Sequence, residues 1–65
     1  GLSDIKKIIQ ESSKILKEGG VLIIEHGYNQ EDQVKKLFKD NYFLDILNIK
    51  DYQGLPRITY GILDK

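Results

Sequence analysis

The residues of this 65-residue chain with the clearest chemical potential are Glu25 and His26, adjacent at the end of the apolar run Val21-Leu22-Ile23-Ile24. A carboxylate beside an imidazole is the kind of pair that general acid–base catalysis uses. Ligands of open α/β sheets bind outside the carboxyl ends of the strands, where these two residues would lie. Successive side chains on a strand point to opposite faces, however, so Glu25 and His26 cannot readily act as one unit. A catalytic site also needs convergent groups, and the sequence places no third one beside them. The expected role of both is to shape the loop and satisfy backbone groups.

Other candidates reduce to structure in the same way. Lys35, Lys36 and Lys39 suggest a docking patch for RNA or an acidic partner, but Glu31 and Asp32 one turn away offset them, as on a solvated helix face. Tyr28, Tyr42, Tyr52 and Tyr60 are scattered over loop, helix end and strand, and packing is their expected role. Gly19-Gly20 precedes a strand and not a helix, which makes it a turn and not a phosphate cradle. With no cysteine and a single histidine, a disulfide, a thiol nucleophile, a Cys-based zinc site and a His-pair metal motif are all excluded. No residue is therefore expected to be catalytic, cofactor-binding or metal-binding.

The elements that position these residues are legible from periodicity. Ile5, Ile8, Ile9, Ser12, Ile15 and Leu16 form one stripe of a helix spanning Ser3 to Lys17. Ser3 is the expected N-cap, Asp4 and Lys14 suit the two ends of the helix dipole, and Gly19-Gly20 provides the C-terminal stop. The run from Val21 to Glu25 does not alternate, which predicts a strand covered on both faces. A second helix begins at Asn29 or Gln30, with Val34, Leu37, Phe38 and Tyr42 on its apolar face. Phe43 to Ile49 is a mixed strand, with Phe43, Leu47 and Ile49 on one face and Leu44 and Ile46 on the other; its Asp45 and Asn48 suit a sheet edge. Asp51 to Pro56 is a turn. Arg57 to Leu63 is the last strand, with Ile58, Tyr60 and Ile62 on one face; Gly61 within it predicts a bulge or a close backbone contact. The predicted fold class is α/β, in the order helix, strand, helix, strand, strand, closing on an antiparallel hairpin.

Size and charge narrow the function classes. A chain this short holds one domain and buries only about 60% of its unfolded surface, so its stability is marginal. Ten Lys and Arg balance ten Asp and Glu, which argues against nucleic-acid binding driven by a basic field. The longest apolar run falls far short of the roughly 20 residues of a membrane helix. No signal-peptide pattern is present, and Ile5 occupies the position where N-myristoylation needs Ser or Thr. The expected compartment is the cytoplasm. Methionine is absent, which suggests either a processed start or a piece of a longer protein.

The residues then assemble into a resemblance. Ile15-Leu16-Lys17-Glu18-Gly19-Gly20-Val21-Leu22-Ile23-Ile24-Glu25 resembles the turn into the fifth strand of class I S-adenosylmethionine-dependent methyltransferases. The following Glu25-His26-Gly27-Tyr28, with Gln30, Val34 and Leu37, resembles the HemK/PrmC family of N5-glutamine methyltransferases, which modify peptide chain release factors. Lys50-Asp51, Arg57-Ile58-Thr59-Tyr60-Gly61, Gly1-Leu2 and Ile8-Ile9 fit the same family. The likeness extends over essentially all 65 residues.

That resemblance implies a partial class I (Rossmann-like) methyltransferase sheet with the last strand inserted antiparallel between the other two. It implies a C-terminal portion of an enzyme that uses S-adenosylmethionine and acts on release factors. It carries no active-site residue onto this chain, because the family's glycine-rich loop and its Asn-Pro-Pro-Tyr motif have no counterpart here. The isolated chain is therefore expected to be inactive. The rival expectation is a small α/β interaction module. In the whole enzyme the fourth strand would cover one edge of the strand 21–25; without it that edge is open and apolar, and the isolated chain is expected to self-associate through it.

Overall fold

The computed structural model describes all 65 residues, as two helices and a three-stranded sheet. Helix α1 spans Leu2–Ile15, strand β1 Val21–Glu25, a 3-10 turn Tyr28–Gln30, helix α2 Glu31–Asp40, strand β2 Phe43–Lys50 and strand β3 Pro56–Leu63. The strand order is β1-β3-β2, with β3 antiparallel to both neighbours. The last strand is thus central, as expected, and Pro56 stands at its first position, where a missing N–H is tolerated.

The core lies on one face of the sheet. Ile9 of α1 and Val34 and Phe38 of α2 pack with Ile24, Phe43 and Leu63, all fully or almost fully buried. The rings of Phe38 and Phe43 lie 5.1 Å apart at a 57° tilt, within the favoured range for aromatic pairs. Leu2, Ile5, Leu16, Leu22, Leu37 and Ile46 flank this cluster.

Several expectations need correction. Helix α1 is capped by Gly1 and not by Ser3: the Asp4 and Ile5 amides donate to the Gly1 carbonyl. Its buried stripe is narrower than the periodicity suggested. Ile9 and Ser13 are buried, while Ile8 and Ile15 face solvent. The helix ends at Ile15, and Leu16 is already extended. Gly19, at φ 86°, therefore belongs to the following turn, which the Gly20 amide closes by donating to the Lys17 carbonyl.

Within these 65 residues, strand β1 is covered on one face and not on both. Leu22 and Ile24 turn inward; Val21, Ile23 and Glu25 are exposed. Both helices contribute to the single core, so the opposite face has no layer. Tyr42 is not on the α2 stripe either. It follows the helix end at φ 71° and is exposed, a left-handed residue that reverses the chain into β2.

Strand β2 is re-phased by a bulge. Leu44 pairs with Ile62 and Leu47 with Tyr60, so Asp45 and Ile46 oppose the single residue Gly61. Asp45 takes φ 52°. The extra residue moves Leu47 and Ile49 onto the face of Leu44, away from Phe43. The glycine expectation holds in both its forms: Gly61 sits opposite a bulge and beneath a close contact with Phe38.

The β2–β3 connection is clamped by Asp51. Its Oδ1 accepts from the Gln53 and Leu55 amides at 2.8 and 3.0 Å, and its Oδ2 accepts from Arg57 Nε at 3.2 Å. The Leu55 amide, then the Arg57 guanidinium and the Gln53 amide, hold the Asp51 carboxyl below its ordinary range. A depressed folded pKa means the clamp stabilises the fold fully above the unfolded value, about 3.9, and loses that contribution as pH falls through the lower folded value. Acidification below about pH 5 is therefore expected to lower the urea midpoint more for the wild type than for Asp51→Asn. Parallel curves in circular dichroism would exclude the carboxylate as the clamp.

Candidate functional site

Glu25, His26, Asn48, Asp51, Arg57 and Thr59 lie at one end of the sheet, where β1 ends, β3 begins and β2 ends. The backbone brings them there: Glu25 pairs with Ile58, and Ile58 with Ile49, while the His26 amide donates to the Arg57 carbonyl at 2.9 Å. Glu25 and His26 diverge as strand geometry requires. Glu25 is exposed on the uncovered face. His26 turns to the helix side, where Thr59 is fully buried.

His26, Thr59 and Asn48 form one hydrogen-bonded network. Thr59 Oγ1 lies 2.7 Å from His26 Nε2 and 2.7 Å from Asn48 Nδ2. His26 Nδ1 lies 2.8 Å from the Gly27 carbonyl. With the Asn48 amide assigned so that its nitrogen faces Thr59, the hydrogens can be placed. The Gly27 carbonyl can only accept, so Nδ1 carries a hydrogen and donates to it; in the neutral ring Nε2 then accepts from the Thr59 hydroxyl, whose oxygen accepts from the Asn48 amide nitrogen. Asn48 Oδ1 is buried and has no hydrogen-bond partner.

The network ties all three strands to the loop that leaves β1. That loop is fixed a second time by a reciprocal pair: the Gly27 amide donates to Gln30 Oε1 at 2.9 Å, and the Gln30 amide donates to the Gly27 carbonyl at 3.0 Å. Beside it, the Arg57 guanidinium carbon stands 5.3 Å from the centre of the Tyr28 ring, a cation–π distance. Arg57 is therefore held by Asp51 on one side and Tyr28 on the other.

The arrangement braces the loop that leaves β1. Both ring nitrogens of His26 are spent on Thr59 or Gly27. Thr59→Val removes the shared hydroxyl at constant shape and leaves His26 Nε2 and Asn48 Nδ2 unpaired. A loss of about 1–3 kcal/mol is expected, read as a shift in the urea midpoint. A neutral outcome would mean that the network contributes no stability.

The remaining candidates resolve as follows. The Gly19 amide donates to the Leu63 carbonyl and the Gly20 amide to the Lys17 carbonyl, so neither is free to hold a phosphate or a cofactor. Lys36 pairs with Asp40 at 3.2 Å in the open, and not with the acidic first turn. A groove of about 370 Å³ between α1 and α2 is lined by Leu2, Lys6, Lys36 and Leu37 among others; no member of the His26 network lines it. No group of three His, Asp or Glu residues is placed to hold a metal ion, and no helix is long and apolar enough to cross a membrane.

Sequence reasoning singled out His26 but missed its partners. Thr59 read as part of a β-branched strand and Asn48 as a polar break. The available signal was that Thr59 falls on the opposite phase from Ile58 and Tyr60, which puts a hydroxyl in the core, where it needs partners.

Comparison with known proteins bears on the whole chain. It is 48% identical over 61 residues to the release factor glutamine methyltransferase of Buchnera aphidicola, covering 94% of this chain and 22% of that protein. It is 38% identical over 61 residues to the protein of the same name from Pasteurella multocida, covering 94% of this chain and 20% of that protein. The Haemophilus influenzae protein of that name is 34% identical over all 65 residues, 22% of its length. The chain thus spans about a fifth of the length of the curated relatives it matches. No protein-family profile matches the chain, and no solved structure does.

Proposed function

We propose that this chain, which belongs by sequence to the release factor glutamine methyltransferases and matches about a fifth of their length, serves as the C-terminal part of such an enzyme's catalytic domain. The whole protein would transfer the methyl group of S-adenosylmethionine to a side-chain amide nitrogen of glutamine in a peptide chain release factor, in the cytoplasm. The observation that carries this reading is the 48% identity over 61 residues. The central position of β3 supports it.

The chain's own part in that reaction is structural. Strand β3 joins β1 to β2 at the centre of the sheet, and the His26–Thr59–Asn48 network sets the path of the loop at the carboxyl end of β1. Arg57, braced by Asp51 and Tyr28, fixes the opposite side of that rim. The cofactor and the substrate glutamine would be held by residues outside these 65. The chain alone should therefore transfer no methyl.

The test has two arms. A protein carrying this sequence downstream of an in-frame Asn-Pro-Pro-Tyr and a glycine-rich loop should label a release factor on glutamine with radioactive methyl from S-adenosylmethionine. The 65-residue chain should not. Labelling by neither protein would refute the enzymatic reading. The rival, a free-standing interaction module, draws on a different observation: β1 and β2 are both edge strands, and β1 leaves one ladder of backbone groups unpaired. Under that reading the short chain alone would capture a partner through the edge of Val21–Glu25.

A further inference from the structure

Asn48 holds an acceptor that its network leaves idle. Its Oδ1 is buried by the chain's own atoms and has no hydrogen-bond partner, while its Nδ2 stands 2.7 Å from Thr59 Oγ1. A buried polar atom left unpaired is costly, and turning the amide over would bring that oxygen to Thr59. The hydrogens decide when the turn is allowed. Thr59 Oγ1 has two partners, His26 Nε2 and Asn48, and one hydrogen to give. The Gly27 carbonyl can only accept, so His26 Nδ1 carries a hydrogen in every state. With a neutral ring, Nε2 is bare and takes the hydroxyl hydrogen, so Asn48 must present its nitrogen. With a doubly protonated ring, Nε2 donates to Oγ1 and the hydroxyl hydrogen must go to Asn48, which has to present its oxygen. A nitrogen still facing Thr59 would then leave the hydroxyl hydrogen buried with no acceptor. Each orientation of the amide thus fits one charge of the ring.

From this arrangement we propose that His26, Thr59 and Asn48 form a proton-driven switch, in which charging the imidazole reverses both hydrogen bonds at Thr59 and turns the Asn48 amide over. The two states are matched. Each keeps the bonds from ring to Gly27, from ring to Thr59 and from Thr59 to Asn48, and each leaves one end of the amide unpaired. The charged ring makes the stronger bonds, and its partial burial works against the charge. The arriving proton stays on Nε2. The bond from Nδ1 to Gly27 survives in both states, so the loop leaving β1 keeps its brace while the change passes to β2. Histidine is the side chain suited to this, since it changes charge between about pH 5 and 8. The charged and titratable neighbours along the chain and across the register are Glu25 on β1, Tyr28 in the 3-10 turn, Glu31 and Asp32 opening α2, Lys50 on β2 and Arg57 on β3. None forms an ion pair with His26. Glu25 is exposed on the other face, and Arg57 is taken up by Asp51 and Tyr28. Within the network His26 alone can change its charge.

Nuclear magnetic resonance of the 65-residue chain tests the switch, because His26 is its only histidine and the ring nitrogens report the charge without ambiguity. Between about pH 8 and pH 5, the Asn48 side-chain amide signals are expected to move with the same midpoint as the His26 ring. Cross-relaxation between the Asn48 Nδ2 hydrogens and the Thr59 side chain should be strong at the alkaline end. It should fall several-fold at the acid end, as oxygen replaces nitrogen beside Oγ1. Asn41, whose Nδ2 donates to the Leu37 carbonyl, should show neither change. His26→Gln cannot take up the proton and should hold the Asn48 signals constant across the range; where that variant fails to fold, the wild-type titration decides by itself. A Thr59–Asn48 contact that persists while the ring takes its second proton would overturn the proposal. So would Asn48 signals whose midpoint departs from the ring's, or that still move in a folded His26→Gln. A folded chain whose ring stays neutral throughout would overturn it too, as would unfolding when the ring is charged, because a network that breaks has no second state.

Discussion

Phe38→Ala is expected to unfold the chain at room temperature. Phe38 has no solvent exposure, touches Phe43 ring to ring and lies directly over Gly61. With Val34, it is a side chain through which α2 reaches the sheet. Truncating a buried phenylalanine costs about 3–5 kcal/mol, part as lost transfer energy and part as the cavity left behind. A core of this size supplies about 3–5 kcal/mol of net stability in all, so one substitution consumes it. Helix α1 cannot take up the loss, because of its residues only Ile9 and Ser13 are buried. Urea denaturation followed by circular dichroism checks this. The alanine variant should show no cooperative transition, and Phe38→Leu should keep one with a loss of about 1.5 kcal/mol or less. A cooperative transition in Phe38→Ala near the wild-type midpoint would refute the account of the core given above.

That core was legible where local pattern and tertiary contact agree. Val34 and Phe38 one turn apart and the apolar β3 fixed α2 and the sheet from sequence. The identity of the central strand came through resemblance. Three features were hidden, each for a physical reason. The left-handed residues Tyr42 and Asp45 are not glycines, so no turn signal announced them, and the bulge at Asp45 reversed the phase of everything after it. Covering of β1 on both faces was read from its composition, which reports what a strand can bury and not what stands opposite it. The His26 network depends on register. Asn48 and Thr59 are eleven residues apart and become neighbours only because β2 and β3 pair at that step.

The candidate site divides along the same line. His26 was visible as the lone imidazole after an apolar run. Its role was not, because a histidine's task is set by what its two nitrogens meet. Here they meet a buried hydroxyl and a backbone carbonyl, which makes it a brace for the loop. Arg57 and Asp51 likewise read as separate motif residues in sequence and become one clamp only when the hairpin closes.

Gly61→Ala tests the seat of Phe38 on β3. A Cβ at position 61 would stand 2.6 Å from Phe38 Cδ2, 3.1 Å from Cε2 and 3.2 Å from Phe43 Cβ. The first distance is below any real carbon–carbon contact, so something must move. The Phe38 ring has no free space to enter, since it is fully buried against Phe43. Helix α2 must therefore lift from β3, or the strand must bend at its bulge. Overpacking of this kind costs about 1–3 kcal/mol. The cost should depend on the ring: in Gly61→Ala with Phe38→Leu, the smaller side chain makes room for the new methyl. The double variant is then expected to be more stable than the sum of the single losses by about 1 kcal/mol or more, well beyond the scatter of independent sites. Strict additivity would mean that the cost arises in the backbone of β3, and that α2 does not rest on Gly61. The seat matters beyond stability, because α2 follows directly from the loop that His26 holds to Thr59. A helix lifted at Gly61 pulls on that loop from its far end, whereas one seated there leaves His26 and Thr59 in register.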